Sequence, residues 1–172
     1  MAAKKFLRLI VGRLTEIAGI VTSAGAGNDG DFPVLDSTGK LDVTMMPVGV
    51  GPDVKIHPSS ESLVAGNWVN IWNDTGTLKV RKADATAAGK EADGFVLANV
   101  TSPADATVYF GGINTALSGL TLGGHYWLST TPGVGVVTTP PASTGNVVQY
   151  LGKAISVTEI EAALEDLGTV LA

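Results

Sequence analysis

Apolar and polar side chains alternate along two neighbouring stretches in the middle of the chain. Between residues 77 and 81, Leu78 and Val80 alternate with polar residues, and residues 68–73 alternate in the same way. A period of two residues is typical of a strand with one buried face. Residues 73–76 between them have the length and composition of a tight turn with a left-handed glycine. This pattern predicts a β-hairpin.

The rest of the chain divides into three regions. Short strand-like runs separated by turn residues fill residues 54–157 and predict one compact all-β domain, a small β-barrel or sandwich. Residues 1–53 are apolar without a regular period and are interrupted by Pro and Gly, which indicates an arm laid across another surface. Residues 158–172 begin with a capping box, Thr158 and Glu161, followed by an apolar face and a glycine. They predict a short C-terminal helix.

Two structures are open for the start of the arm. Phe6, Ile10, Leu14 and Ile17 recur at spacings of four and three, as in one stripe of an amphipathic helix. Nearby β-branched residues and Gly12 disfavour a helix, so an extended arm is the alternative. In both cases these four apolar side chains are interface candidates.

Tryptophan residues add further interface candidates. Alternation places Val69 and Ile71 on one face of a strand and Trp68 and Trp72 on the other. If the aliphatic face fills the domain interior, both tryptophans stand outside it and are candidates to anchor a protein interface or a sugar. The alternative is that the arm or the C-terminal helix covers them. Trp127 is the third aromatic candidate.

Composition narrows the class of protein. Charged residues make up 16% of the chain and its mean hydropathy is +0.29, which predicts more apolar surface than one small domain can bury alone. Association with other subunits is the simplest way to bury it. The net charge of -5 argues against nucleic acid as the main partner, since phosphate binding needs a basic face. No apolar run approaches the ~20 residues of a membrane helix, so we expect a soluble protein.

Candidate chemistry is sparse. The chain has no cysteine, which excludes disulfides, thiol catalysis and cysteine-ligated zinc. Residues 25–30 match the spacing of a dinucleotide-binding glycine loop, but Pro33 follows where a helix must start, so we interpret them as a flexible link. The two histidines, His57 and His125, lie in no nucleophile or ligand motif. We expect no catalytic, cofactor-binding or metal-binding residues, and no enzymatic activity.

Six segments of the β-rich region carry a family resemblance through their order and spacing. They are residues 66–84, 92–97, 106–110, 119–124, 126–133 and 145–154. Together they resemble the β-barrel of head decoration (cement) proteins of tailed bacteriophages. The resemblance implies a protein of the outer capsid surface, commonly trimeric, that clamps capsomers where they meet. Residues 39–47 also resemble stretches of phage tail and fibre proteins, and the long arm departs from members that consist of a barrel alone.

The sequence thus predicts a non-enzymatic structural protein of the virion, made in the host cytoplasm and placed on the outer surface of the capsid. Its expected partners are the major capsid protein and itself, as a homotrimer, with no cofactor, nucleic acid or membrane. One alternative is a tail or fibre component that binds glycans through Trp68, Trp72 and Trp127. Another is a hydrolase of cell-wall or capsular sugar, for which scattered loop carboxylates are the only indication.

Overall fold

The regular secondary structure of the described residues is almost entirely β-strand. A computed structural model describes residues 5–46, 51–133, 138–164 and 168–172. Within these ranges there are thirteen strands and two short 3₁₀ turns, Gly25–Asn28 and Val43–Met45, and the expectation of an all-β fold is confirmed. None of the described residues form a helix long and apolar enough to cross a membrane. The chain divides into an N-terminal unit, Met1–Gly51, and a C-terminal unit, Pro52–Ala172.

The N-terminal unit begins with a two-stranded antiparallel hairpin. Its strands are β1 (Lys5–Ile10) and β2 (Arg13–Ala18), so the extended alternative describes this segment and the helical one is wrong. A bridge between Ile20 and Pro33 holds the segment that follows β2. The only buried hydrophobic side chain described in this unit is that of Val34.

The C-terminal unit contains a five-stranded antiparallel sheet. Its strands are β3 (Val54–Pro58), β4 (Trp68–Asp74), β5 (Thr77–Lys82), β6 (Gly94–Phe95) and β7 (Asp105–Tyr109). They lie in the order β3-β7-β6-β4-β5. A bridge between Ser59 and Val80, with a 2.8 Å hydrogen bond from the Ser60 amide to the Val80 carbonyl, joins the end of β3 to β5. The sheet therefore curls until its two outer strands meet.

The predicted hairpin between β4 and β5 is confirmed. The strands pair from Val69 with Lys82 to Asp74 with Thr77. At the turn Gly76 has a φ of 92°, and its amide donates a 2.8 Å hydrogen bond to the Asn73 side chain. A residue without a side chain occupies this left-handed conformation at little cost.

A second antiparallel sheet has the strand order β8-β12-β11-β9. Its strands are β8 (Gly112–Asn114), β9 (His125–Trp127), β11 (Tyr150–Ala154) and β12 (Ile160–Ala162). A separate pair joins β10 (Val147–Val148) to β13 (Thr169–Val170).

The expected C-terminal helix is wrong in the described residues. Ile160–Ala162 is a strand paired on both sides, with β11 and with β8, and the Ile160 side chain is fully buried. The capping box that begins at Thr158 is a local preference, and two strand pairings with a buried side chain outweigh it. Residues 165–167, which the helix was expected to include, lie outside the described part of the chain.

Two apolar clusters fill the C-terminal unit. One contains Val69, Val80 and Val108 and lies on one face of the five-stranded sheet. The other contains Trp68 and Phe95 from that sheet together with Leu151 from the second sheet. Strand β4 therefore buries its first residues on both faces, because the second sheet covers the face that the first cluster leaves free.

Candidate interaction surfaces

The tip of the N-terminal hairpin places a valine in an unfavourable backbone conformation. Ile10 pairs with Arg13, so the turn consists of Val11 and Gly12. Their φ angles are 47° and 77°. Two-residue turns with both φ positive favour Asn-Gly or Gly-Gly, because a β-branched side chain is crowded in the left-handed region. The Val11 side chain is nevertheless 97% exposed, so contacts within the described chain do little to offset this cost.

One face of the hairpin is rich in leucine. The Leu9–Leu14 pair and Leu7 lie on it, because directly opposed residues in an antiparallel ladder share a face. Leu7 is 71% exposed, Leu9 66% and Leu14 72%. We call these three side chains together with Val11 the hairpin patch. Contiguous exposed apolar side chains of this kind mark interaction sites.

The other face of the hairpin is partly covered by its own unit. Phe6, Ile10 and Ile17 lie on it, whereas Leu14 lies on the leucine face. The predicted helix would have placed all four on one stripe. The Phe6 ring stacks on Phe32, with 5.5 Å between ring centroids. The interface role predicted for these residues stays a prediction, and Leu14 is the most exposed of the four.

The hairpin carries more basic than acidic side chains. Lys5, Arg8 and Arg13 lie on the hairpin with a single acidic residue, Glu16. Lys5 and Glu16 form an exposed ion pair of 3.0 Å, and the Arg8 guanidinium donates to the Gly30 carbonyl at 3.2 Å. Arg13 has no partner among the described residues. The hairpin thus has a net positive charge, but Arg8 and Arg13 lie on the face opposite to the leucines.

The tryptophans of β4 do not form an exposed pair. Trp68 is 0% exposed, so the expectation that it stands outside the domain is wrong. Its ring meets Phe95 edge to face at 5.4 Å between centroids. Trp72 is half-buried, donates its indole N–H to the Ser60 hydroxyl at 3.2 Å and lies 4.9 Å from the Arg81 guanidinium carbon. These contacts fix Trp72 within its own unit.

Trp127 belongs to an aromatic cluster on the second sheet. His125, Trp127 and Tyr150 lie with their ring centroids 5.7 to 6.4 Å apart. His125 Nδ1 and the Tyr150 hydroxyl are hydrogen-bonded at 2.9 Å, and burial raises the pKa of the Tyr150 phenol. Trp127 and Tyr150 oppose each other on β9 and β11. Cross-strand aromatic pairs stabilise sheets, so this cluster has a structural role whatever else it binds.

Sequence reasoning missed Leu7, Leu9 and Val11. They were missed because the spacing of a helix was applied to residues whose side chains point alternately to the two faces of a strand. The centre of the hairpin offered only a weak signal, since Gly12 suits a turn but Val11 is not a residue that favours one. In the described part of the chain, no group of three or more His, Asp or Glu side chains is placed to hold a metal ion.

No protein family, curated protein or solved structure matches this chain. The resemblance to phage decoration proteins therefore stays an expectation from the sequence. What can be proposed about function rests on the surfaces described above.

Proposed function

We propose that this chain is a non-enzymatic structural protein of a bacteriophage virion that decorates the head and stabilises it at capsomer junctions. The observation that carries the proposal is the exposed, strained Val11 at the tip of an apolar hairpin. Such a tip is costly in the free protein and becomes favourable when a partner covers it. The proposed partner is the major capsid protein.

The energetics of the hairpin patch support attachment. A non-glycine residue in the left-handed region costs about 1–2 kcal/mol, so the tip is less stable than an Asn-Gly turn would be. Burying a leucine or valine side chain contributes about 1.5–3 kcal/mol. Covering all four side chains of the patch would contribute on the order of 5 kcal/mol after allowance for the surface already hidden. Proteins retain strained residues where the strained surface is used.

A single hairpin of this kind gives modest affinity, because association itself costs about 4–15 kcal/mol. The shell of a virus repeats the same site many times. If the protein forms the expected homotrimer, three hairpins engage neighbouring sites and the second and third contacts become intramolecular. Light scattering after size exclusion should then give three times 17.5 kDa.

Co-sedimentation with purified heads that lack the protein tests the proposal. The variant Leu7→Ser, Leu9→Ser, Leu14→Ser removes the leucines of the patch and should lose most binding. Leu122→Ser is the matched control, since Leu122 is 69% exposed but lies in the C-terminal unit. Equal binding by the triple variant and the wild type would reject the hairpin as the attachment surface.

A second measurement tests stabilisation of the head. A ligand that binds only the assembled shell stabilises it by mass action, so heads without the protein should open at lower temperature and added protein should restore them. Unchanged head stability together with lost adsorption to host cells would favour the tail or fibre alternative instead.

A further inference from the structure

A groove opens on the side of the C-terminal unit where β6 and β7 separate. The two strands share a single pair, Phe95 with Tyr109. After it, the chain leaves β7 and bonds instead with residues 63–67: the Val96 amide donates to the Asn67 carbonyl, and Val100 and Leu63 exchange two hydrogen bonds. The groove left between residues 96–100 and β7 has a volume of about 270 Å³. Space of this size holds one small ring.

Three polar side chains of β7 line one wall of the groove. Asp105, Thr107 and Tyr109 alternate with Ala106 and Val108, whose side chains are fully buried. Period two places the three polar side chains on the face of β7 opposite to Ala106 and Val108. None of the three forms a side-chain hydrogen bond or ion pair with a described residue. One carboxylate and two hydroxyls are therefore free to bind a ligand.

The opposite wall is mainly apolar, with one polar side chain. Leu97 and Val100 provide the apolar surface. Asn99 accepts a 2.9 Å hydrogen bond from the Ala65 amide through its side-chain oxygen, which leaves its Nδ2 group as a donor. Tyr109 stacks on Phe95 at 5.6 Å between centroids, so its ring is held in place.

We infer that this groove binds one neutral sugar ring of a glycan. A sugar hydroxyl donates and accepts at the same time, and the groove offers an acceptor carboxylate, two hydroxyls that do both, and an amide donor. The C–H groups on the faces of a sugar ring are apolar and suit the wall formed by Leu97 and Val100. The only charge in the lining is the negative Asp105, which disfavours anionic ligands. The inference uses the C-terminal unit alone and does not depend on attachment through the hairpin.

Nuclear magnetic resonance titration of the full chain tests the inference. The probes are the methyl glycosides of glucose, galactose, mannose and N-acetylglucosamine, each added to roughly 50 mM because a single ring in a shallow site binds at about millimolar affinity. At least one glycoside should shift the amide signals of Ala98 and Thr107. The absence of saturable shifts with all four probes would overturn the inference.

Isosteric variants locate the binding. Tyr109→Phe and Thr107→Val each remove one hydroxyl and keep the shape of the side chain, and each should weaken binding about threefold to tenfold. Tyr150→Phe removes a hydroxyl from the aromatic cluster on the other sheet and should leave binding unchanged. Equal loss in Tyr150→Phe, or no loss in both groove variants, would overturn the assignment to this groove.

A basic ligand is the competing occupant, since Asp105 would also pair with a lysine or arginine side chain. N-acetyl-lysine methylamide and N-acetyl-arginine methylamide are the probes for it. Stronger shifts with either of these than with any glycoside, abolished by Asp105→Asn, would replace the sugar with a basic peptide. Binding of a glycoside with no response to the basic probes would support the sugar.

Discussion

The side chain of Gln149 joins two segments of the C-terminal unit that are far apart in sequence. Its amide nitrogen donates to the Ala92 carbonyl at 2.9 Å, and its oxygen accepts from the Ala92 amide at 2.8 Å. Both residues are buried. Gln149→Leu keeps a similar volume but leaves the buried N–H and C=O of Ala92 without these partners. Each such group costs about 1–3 kcal/mol, so the variant should lose about 2–6 kcal/mol of unfolding free energy.

Urea unfolding followed by circular dichroism measures this loss, and thermal melting should show a decrease of about 2–4 °C per kcal/mol. A domain is stable by only about 5–15 kcal/mol, so the effect is a large fraction of the total. Lys153→Gln on strand β11 is exposed and should change stability by less than about 0.5 kcal/mol. A loss below about 1 kcal/mol for Gln149→Leu would refute the reasoning from unpaired backbone groups.

Gln149→Glu separates hydrogen bonding from packing. The ionised side chain accepts from the Ala92 amide but has no proton for the Ala92 carbonyl, and burial disfavours its charge. Its pKa in the folded state should therefore be raised above the value of about 4.3 in the unfolded chain. The folded state then binds the extra proton, so the variant should regain stability as the pH falls through the folded pKa. A loss of unfolding free energy relative to the wild type that grows as the pH falls would contradict this.

Three further predictions concern the hairpin turns, a glycine in strand β11 and one carboxylate. Val11→Asn should stabilise the hairpin by about 1 kcal/mol, seen as slower amide exchange in β1 and β2, while weakening binding to heads; faster exchange would contradict it. Gly152→Ala should cost more than about 2 kcal/mol in urea unfolding, because a Cβ there would overlap the Glu161 carbonyl oxygen of β12. At Gly76 an added Cβ meets open space, so Gly76→Ala should cost only about 1 kcal/mol, from its left-handed backbone. Burial raises the pKa of the Asp84 carboxyl, but hydrogen bonds from Thr86 together with the hydrogen bond and charge of Lys90 outweigh it and lower the pKa below 3.8. The stability from this pair is therefore present above about pH 4 and lost in acid, so Thr86→Val should cost about 1 kcal/mol at pH 7 and little at pH 2; equal costs at both would argue against it.

The sequence was sufficient where local pattern and pairing agree. Strands β4 and β5 alternate with period two, and the turn between them has a glycine where the backbone is left-handed. Such a hairpin closes locally, so neighbouring residues determine it. The same pattern also placed Val69 and Trp68 correctly on opposite faces of β4. It could not tell which face a second sheet covers, and Trp68 proved to be buried.

The C-terminal segment shows why local pattern fails elsewhere. Thr158 and Glu161 have the spacing of a helix start, yet Ile160 lies in a strand between β8 and β11. Strand β8 lies more than forty residues earlier in the chain, so a prediction from the residues near 160 does not take it into account. Burial of Ile160 between distant strands decides the conformation. The groove beside β7 is unpredictable for the same reason, because it exists only where two paired strands part.

The N-terminal hairpin is the element whose stability bears most directly on the proposed attachment. An isolated two-stranded hairpin is marginal in water. Here the ion pair between Lys5 and Glu16 is exposed and contributes less than about 1 kcal/mol, and the turn at Val11 works against the fold. The stacked pair of Phe6 and Phe32 anchors only the base. An apolar arm that stabilises itself so weakly gains most from a surface that covers it, which is why the hairpin patch, and not the buried Trp68, is the surface on which attachment should be tested.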